Sequence, residues 1–367
     1  MNKLKITIIS TFGNLNESRG GRNRLDTLIL LNRKIGYVSV LTPTFFKKKS
    51  YVLDDINYFF YSISFLDLWK CFLSILSGSP ISQAIFIRSK IQAELNDSDM
   101  TIFHLVRTYS QAYRMPAKGK TYIDICESLS ENFEKRASLM SRYSLKRFFY
   151  IFEAVRLEKL EREILIKKDI NFVFITKKDR LFSESPKVLV LPNLNLNDYI
   201  KNITTVGNYF VFIGHIDYEP NLRAIINFSL ILSQLDSSLK FRIIGRCSKK
   251  NKIFLSHYVN ILLEGYVDDV SNIISQAIAG VAIIHNGTGL QNKVLDYISY
   301  GIPPLVNSEV KSAFPGDLPC IELDNSEQLV KFLPKLLNKK WRSDFSKKCK
   351  IYINKYQRNI NNPFTKT

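Results

Sequence analysis

Residues 280–308 read GVAIIHNGTGLQNKVLDYISYGIPPLVNS, and four pieces can be told apart within them. GVAIIHN (280–286) is a short apolar run with a polar end, the pattern of a buried strand. GTGLQNK (287–293) interposes Gly287 and Gly289, KVLDYISYG (293–301) has helical spacing, and PPLVNS (303–308) returns to a strand. Strand, glycine-bearing loop, helix and strand make one βαβ unit of a parallel sheet. The loop also has a chemical reading. Glycines let backbone N–H groups approach an anion, and the helix that follows presents its positive end. Lys293 stands at that helix start, where a cation is unfavourable for the helix but useful against a diphosphate. Asp296, one turn on, can accept hydrogen bonds from ribose hydroxyls. The alternatives are a tight turn with a solvated lysine and a helix-surface carboxylate.

The same rhythm extends upstream through YFVFIGH (209–215), NLRAIINFSLIL (221–232), FRIIGR (241–246), ILLEGY (261–266) and VSNIISQAI (270–278). Short, wholly apolar strands alternating with helices indicate a parallel sheet covered on both faces. Ligands of open α/β sheets bind beyond the carboxyl ends of strands, which selects His215 and Arg246. Arg246 reads equally as a solvated strand-end charge. The first half repeats the plan: a strand at 4–10, a loop holding SRGGRNR, a helix from Asp26 to Arg33, then YVSVLTP, TIFHLV (101–106), TYIDIC (121–126), NFVFITKKDR and KVLVLPN. Arg107, Asp124 and Glu127 lie in or just after these apolar strands, as residues that reach a cleft or as members of core salt bridges. His104 reads as a general base or as a hydrogen-bonded sheet histidine; His257 and His285 have less context. A helical stretch over 131–168 contains KRFFYIFEAVRLEKLEREILIKK, with Phe148, Phe149, Phe152, Val155, Leu160 and Ile164 as its apolar side. That side packs on a core or lies on a membrane surface.

LPNLNLNDY followed by KNITTVGN divides the chain near residue 200. The predicted division is 1–200, 201–340 and a C-terminal helix and tail over 341–367 that crosses back to the first domain. A length of 367 residues suits two such domains, and a 46% hydrophobic fraction sets disorder aside. Fifty-two Lys and Arg against 33 Asp and Glu leave a charge of +19, which draws a protein toward polyanions or an anionic bilayer. Zinc-finger spacing and RNP-like aromatic runs are absent from the sequence, which argues against nucleic acid as the partner. Cys71, Cys126, Cys247, Cys320 and Cys349 are odd in number and far apart, as in a reduced cytoplasmic chain. No metal is expected: Asp268 and Asp269 adjoin a helix start, where caps are common. The apolar stretch from Tyr58 to Leu76 carries Asp67 and Lys70, which favours a buried or interfacial helix over a membrane span. MNKLKITIISTFGN at the start reads as a first buried strand.

NGTGLQNKVLDYISYGIPPLV resembles the donor signature of GT-B glycosyltransferases of the retaining, family-4-like group, G-x-G-x-x-x-K-x-x-E-A-x-x-x-G-x-P-x-V. Gly287, Gly289, Lys293, Gly301 and Pro303 match in register, Val306 lies one place beyond the pattern's valine, and Asp296 stands where the family has a ribose-binding glutamate. FIGHIDYEPNLRAIINF and GYVDDVSNIISQA are similar to the F-x-G-x-M-D-Y-x-P-N-x-x-A and G-x-V-x-D-V blocks of bacterial sugar transferases of the exopolysaccharide type. LVRTYSQAY, YIDICESLSENFEKRA and FEAVRLEKLERE resemble that subgroup's R-x-x-P-Y, D-x-x-D-A-L-S and E-A-x-R-x-x-x-x-E blocks. Several positions depart from the patterns, Asp296 among them. Thr288 replaces the first acid of the family's E-x7-E, Ala112 replaces the proline before Tyr113, and Glu127 stands for an aspartate.

The resemblance implies an α/β chain of two Rossmann-like domains facing each other across a cleft. It implies transfer of a sugar, with retention, from a UDP- or GDP-linked donor to a glycan or lipid-linked acceptor in surface polysaccharide synthesis. No metal or other cofactor is implied. Lys293 would meet the diphosphate with Gly287, Thr288 and Gly289, while Gly214, His215 and Arg246 complete the donor pocket and Asp296 holds the ribose. Arg107, Asp124 and Glu127 would serve on the acceptor side. A cytoplasmic protein with peripheral contact to an anionic membrane fits the charge. The alternatives are a non-catalytic nucleotide-sugar-binding protein of polysaccharide assembly and a sugar-nucleotide epimerase.

Overall fold

Apolar strands too short to stand alone bury both faces by pairing in register, and this chain does so twice. The computed structural model describes residues 3–11, 19–44, 48–62, 65–84, 94–109, 119–177, 179, 181, 184, 187–194, 207–235, 238–285, 290–360 and 362–365. Two compact units emerge: Met1–Asn193 joined by Asn361–Thr367, and Leu194–Ile360.

In the first unit the elements run β1 (Leu4–Ile9), α1 (Arg19–Asn32), β2 (Gly36–Thr44), β3 (Tyr51–Leu53), β4 (Ile56–Ser62), α2 (Phe65–Leu76) and α3 (Ile81–Ala84). They continue with β5 (Met100–His104), β6 (Lys120–Cys126), α4 (Leu129–Ser138), α5 (Leu145–Leu165), β7 (Ile170–Phe174) and β8 (Val188–Val190). The sheet order is β3-β4-β2-β1-β5-β6-β7-β8, parallel throughout except for the β3–β4 hairpin. That hairpin turns on Asp54 and Asp55, both at positive φ, as a two-residue turn between twisted strands requires. Ile9, Phe103, Ile123, Leu157, Ile164 and Phe172 are fully buried at the centre of one core. Gly20 and Gly21, predicted in a loop, instead lie in the first turn of α1. The stripe Leu25, Leu28, Ile29 and Leu31 is buried on that helix, and its packing outweighs the roughly 1 kcal/mol cost of each helical glycine.

The helical stretch predicted over 131–168 is two helices, α4 and α5, with Ser128 and Ser144 extended at their N-caps. Its predicted apolar side also divides. Leu160 and Ile164 enter the core, joined by Leu157, which was not among the predicted residues, whereas Phe148, Phe149, Phe152 and Val155 are exposed. Two buried carboxylates set this helix in place. Glu153 accepts from the backbone N–H groups of Ile81 and Ser82, each at 2.9 Å, and caps α3. Glu161, two turns on, accepts from Leu129 N at 2.7 Å and from the Ser128 and Ser130 hydroxyls, and so caps α4. The region from Tyr58 to Leu76 is the end of β4 followed by α2, and among the described residues no helix is long and apolar enough to cross a membrane.

The second unit contains β9 (Tyr209–Ile213), α6 (Glu219–Leu235), β10 (Lys240–Ile244), α7 (Lys249–Leu255), β11 (Ile261–Gly265), α8 (Ser271–Ser275) and β12 (Gly280–Ala282). It ends with α9 (Asn292–Ser299), β13 (Pro304–Val306), α10 (Ser308–Lys311), β14 (Ile321–Glu322), α11 (Ser326–Leu337) and α12 (Lys339–Asn359). The six strands are all parallel in the order β11-β10-β9-β12-β13-β14. Phe228 on α6 meets Phe210 and Phe241 on β9 and β10, with ring centroids 5.3 and 4.9 Å apart. Tyr297 is buried beneath β9 and β12; its hydroxyl accepts from Ile213 N and donates to Val281 O, both at 3.2 Å. A β-carbon on Gly280 would collide with the Tyr297 ring, so this strand start needs glycine for close approach. Buried Arg342 donates to Ala277 O at 2.9 Å and to Ile278 O at 2.5 Å, which fixes α12 to the segment before β12. Residues 362–365 return to the first unit, where Asn362 donates to Leu31 O at 2.9 Å and the Phe364 ring meets Tyr122 edge-on. Each unit is thus a Rossmann-like α/β layer structure, as predicted. The linker segment 195–206 lies outside the described residues.

Candidate functional site

In the second unit, strands β9 and β10 end in glycines with φ of 153° and 148°, Gly214 and Gly245. A β-carbon on Gly245 would overlap the Gly214 carbonyl, so the two strand ends approach backbone to backbone. Into this strand end the first turn of α9 projects Lys293, which is buried. Its Nζ donates to Asn221 Oδ1 at 3.0 Å and sits 3.9 Å from the centroid of the Phe212 ring. Asn221, in the first turn of α6, donates through Nδ2 to the His215 carbonyl at 2.9 Å. A β-carbon on Gly214 would lie 3.1 Å from Asn221 Nδ2 and 3.5 Å from Lys293 Nζ. Bare backbone at Gly214 therefore leaves the ammonium its room.

Burial pushes the Lys293 pKa down to about 7, with the nearby Asp296 carboxylate pulling it partly back. Among the described residues the amine has one neutral acceptor and a ring face, with Asp296 as its nearby opposite charge, so its burial is only partly compensated. An anion brought to this strand end would gain strongly from it. Asp296 is likewise buried, one turn along α9. Gly287, Thr288 and Gly289, the loop that opened the sequence reading, lie outside the described residues.

Other predicted donor-side residues stand further from the amine's contacts. His215 is exposed, with Nε2 3.9 Å from Asp217 Oδ2; its backbone carbonyl, rather than its ring, holds Asn221. Asp217 is occupied by Ser248 N and Ser248 Oγ at 2.9 and 2.7 Å and by Asn251 Nδ2 at 2.6 Å, and so caps α7. Arg246 is exposed with its guanidinium over the Tyr266 ring at 5.5 Å. His285 is exposed, Nδ1 lying 3.4 Å from Asn307 Nδ2, and His257 Nδ1 lies 3.1 Å from Phe254 O. Asn221 fills the P-N place of the block FIGHIDYEPNLRAIINF, but the sequence reading gave neither it nor Phe212 a role in the site. The available signal was a polar residue directly after Pro220 at a helix start, at a position that the helix buries.

In the first unit Asp124 is fully buried and forms a core ion pair. It accepts from Arg24 Nε at 2.9 Å, from a terminal nitrogen of Arg24, and from Cys126 Sγ at 3.1 Å. Arg24 donates further to Leu191 O at 2.6 Å and Asn193 Oδ1 at 3.2 Å. Burial opposes ionisation of Asp124, yet Arg24 overrides it and holds the carboxyl below the ordinary range. His104 Nδ1 lies 2.9 Å from Ser10 Oγ, and burial first, then Arg24 and Arg107, lowers its pKa to about 4 against the pull of Asp124. His104 is neutral at pH 7. The possible ligand atoms of His104, Asp124 and Cys126 lie within 4.8 Å of one another. As a donor set they suit a cation poorly, because Arg24 already occupies both carboxylate oxygens and burial pushes the Cys126 thiol far from ionisation.

Both neighbouring strand ends are strained: Leu105 after β5 has φ 75° and Cys126 closing β6 has φ 59°. Arg107 follows in the turn Val106–Thr108, with Nε buried and lacking a hydrogen-bond partner among the described residues. Burial and then Arg136 lower its pKa. Glu127 accepts from Asn132 Nδ2 at 3.0 Å.

No protein-family model matches the chain, and no curated protein sequence does. Solved structures do match in shape. WaaG, described as a glycosyltransferase involved in lipopolysaccharide biosynthesis, aligns over 95% of both chains with a TM-score of 0.62 at 13% identity. An E. coli structure described as trehalose-6-phosphate bound with UDP-2-fluoro glucose aligns over 95% of both chains, TM-score 0.64, at 11% identity. Anabaena HepE in complex with UDP and glucose aligns over 96% of this chain and 98% of its own, TM-score 0.61, at 9% identity. At such identities the likeness is one of fold: a pair of Rossmann-like units of the GT-B kind.

Proposed function

We propose that the chain is a retaining glycosyltransferase that moves a sugar from a nucleoside-diphosphate sugar to a glycan or lipid-linked acceptor of surface polysaccharide synthesis, on the cytoplasmic side of the membrane. The observation that carries the reading is Lys293: a buried amine, poised at a pKa of about 7, at the carboxyl end of a parallel sheet beside a glycine strand end. A buried amine is destabilising on its own and becomes useful when a dianion arrives. In transfer, the bond from the anomeric carbon to the diphosphate breaks and its electron pair leaves with the diphosphate. The acceptor hydroxyl bonds to the same face, and its proton is released. Lys293 meets charge that grows as that bond breaks, in surroundings that screen it little. Asp296 holds the ribose, and Gly214 lets the donor approach the backbone of β9. On the acceptor side Arg107 is the favoured residue, since its buried Nε has no hydrogen-bond partner among the described residues; Asp124 orders the strand ends from the core.

The structural neighbours whose names include UDP make a uridine nucleotide the first probe, with GDP-sugars alongside. Thermal shift of the full chain against a panel of UDP- and GDP-sugars tests the reading. Stabilisation by at least one of them, lost in Lys293→Ala, is the expected result. If the whole panel leaves the melting temperature unmoved, the donor assignment is wrong.

A further inference from the structure

We propose a lipid-binding face on the first unit: the outer side of α2 and the first half of α5 rest on an anionic bilayer. An amphipathic helix on a protein ordinarily turns its apolar stripe inward. Helix α2 does the reverse. Phe65, Leu68, Trp69, Phe72, Leu73 and Leu76, at helical spacing, all face outward, with Phe65 85% and Trp69 59% exposed. The opposite side is the one that packs: Cys71 is buried and its Sγ donates to Ala84 O at 3.1 Å. Helix α5 continues the pattern, since Leu145, Phe148, Phe149, Phe152 and Val155 are exposed, Leu145 by 86%.

The two stripes are joined rigidly. Arg156 donates to Ile75 O at 2.7 Å and Ser79 O at 2.9 Å at the end of α2, while its guanidinium lies 4.0 Å from the centroid of the Phe152 ring. Glu153, one turn away on α5, fixes the start of α3 through Ile81 and Ser82. Polar bonds therefore set the spacing of the two helices, and their apolar sides stay free to meet something else.

Charge identifies the occupant. From Lys135 to Phe152 the sequence carries five cations and no carboxylate, within a chain of net charge +19; Lys135 pairs with Glu131 at 2.9 Å, while Arg142 and Lys146 are exposed at the start of the α5 stripe. Cations bordering a Trp- and Phe-rich stripe match the headgroup level of an anionic membrane. A second copy meeting the first through the same face would set these like charges against one another. At 12 residues α2 is about 18 Å long, well short of the roughly 30 Å hydrocarbon layer, so it lies along the surface.

The test uses the full chain and vesicles of phosphatidylcholine alone or mixed with phosphatidylglycerol, read by flotation. The sequence has two tryptophans, so Trp341→Phe leaves Trp69 as the only tryptophan, read by selective excitation. Expected are flotation with phosphatidylglycerol vesicles only, loss of binding in high salt, and a blue shift of Trp69 emission on binding. The pairs Trp69→Ser with Phe72→Ser, and Leu145→Ser with Phe148→Ser, should each weaken partitioning on the order of tenfold or more. Arg142→Glu with Lys146→Glu should do so by a comparable factor. All three replace exposed side chains, and unchanged melting temperatures and nucleotide-sugar responses would confirm intact folds. The proposal is overturned if the chain binds neither vesicle, if binding survives these replacements, or if the chain is an oligomer that they convert to monomer. None of these outcomes bears on the donor site, whose test is separate.

Discussion

Lys293 Nζ donates to Asn221 Oδ1 at 3.0 Å, and this bond ties the first turn of α9 to the first turn of α6 beside the end of β9. It supplies a dipole and no counter-charge. A buried cation so held is expensive for folding and effective for binding an anion, and the two properties should separate on mutation.

Lys293→Met should raise the stability of the free protein at neutral pH on the order of 1 kcal/mol, because it removes a buried ionisable group and keeps most of the volume. Asn221 loses a donor, which limits the gain. The same variant should lose nucleotide stabilisation altogether. Urea unfolding with and without a diphosphate ligand measures both. A variant less stable than the parent, yet still responsive to nucleotide, contradicts the assignment of Lys293.

The pH dependence follows from a folded-state pKa of about 7 against the ordinary 10.5 for lysine. Between these values the unfolded chain binds more protons, so the Lys293 contribution to stability rises with pH across that window and is flat below it, with a limiting slope of about 1.4 kcal/mol per pH unit. Binding of a diphosphate raises the amine pKa and takes up a proton near pH 8. Calorimetry in buffers of different ionisation enthalpy should show that uptake, and Lys293→Met should abolish it. Binding heats that do not vary with buffer would speak against the coupling.

Asn221→Asp tests the positioning of the amine rather than its presence. A carboxylate at this place converts the dipole contact into an ion pair and should lift the Lys293 pKa, flattening the pH slope just described. Its negative charge also opposes an incoming diphosphate, so affinity should fall about tenfold or more while the fold is retained. Asn221→Ala should weaken binding less and leave the slope in place. Equal effects of the two variants would reduce Asn221 to a packing role.

The sequence conveyed the two-unit plan because short apolar strands alternating with helices have few other solutions, and β9, β10 and β12 lie where YFVFIGH, FRIIGR and GVAIIHN predicted them. Lys293 was legible for the same reason, through its place after a glycine loop. The outward stripe of α2 was not, since periodicity identifies an apolar face without saying what covers it. Arg24 was also overlooked. Its guanidinium joins α1 to β6 across 100 residues, and no local pattern in SRGGRNR announces a partner that distant. Glu153 and Glu161 sat in a block read for its resemblance to a family; the structure gives both a physical task, as helix caps.

The Arg24–Asp124 pair decides whether Asp124 orders the core or joins the chemistry. With both groups buried, Arg24→Met leaves an uncompensated carboxylate and should cost about 3–5 kcal/mol. Asp124→Asn should cost a similar amount by leaving the guanidinium uncompensated, and the double variant should be markedly less destabilised than the sum of the two. Acid adds an independent signature. His104 has a folded pKa of about 4 against 6.5, so the unfolded chain binds more protons between these values and stability falls as pH drops through that window. His104→Asn should remove that loss. Unfolding curves between about pH 7 and 4 for the four variants separate the roles. An Asp124→Asn protein as stable as the parent but inactive in sugar transfer would move Asp124 from the core to the reaction.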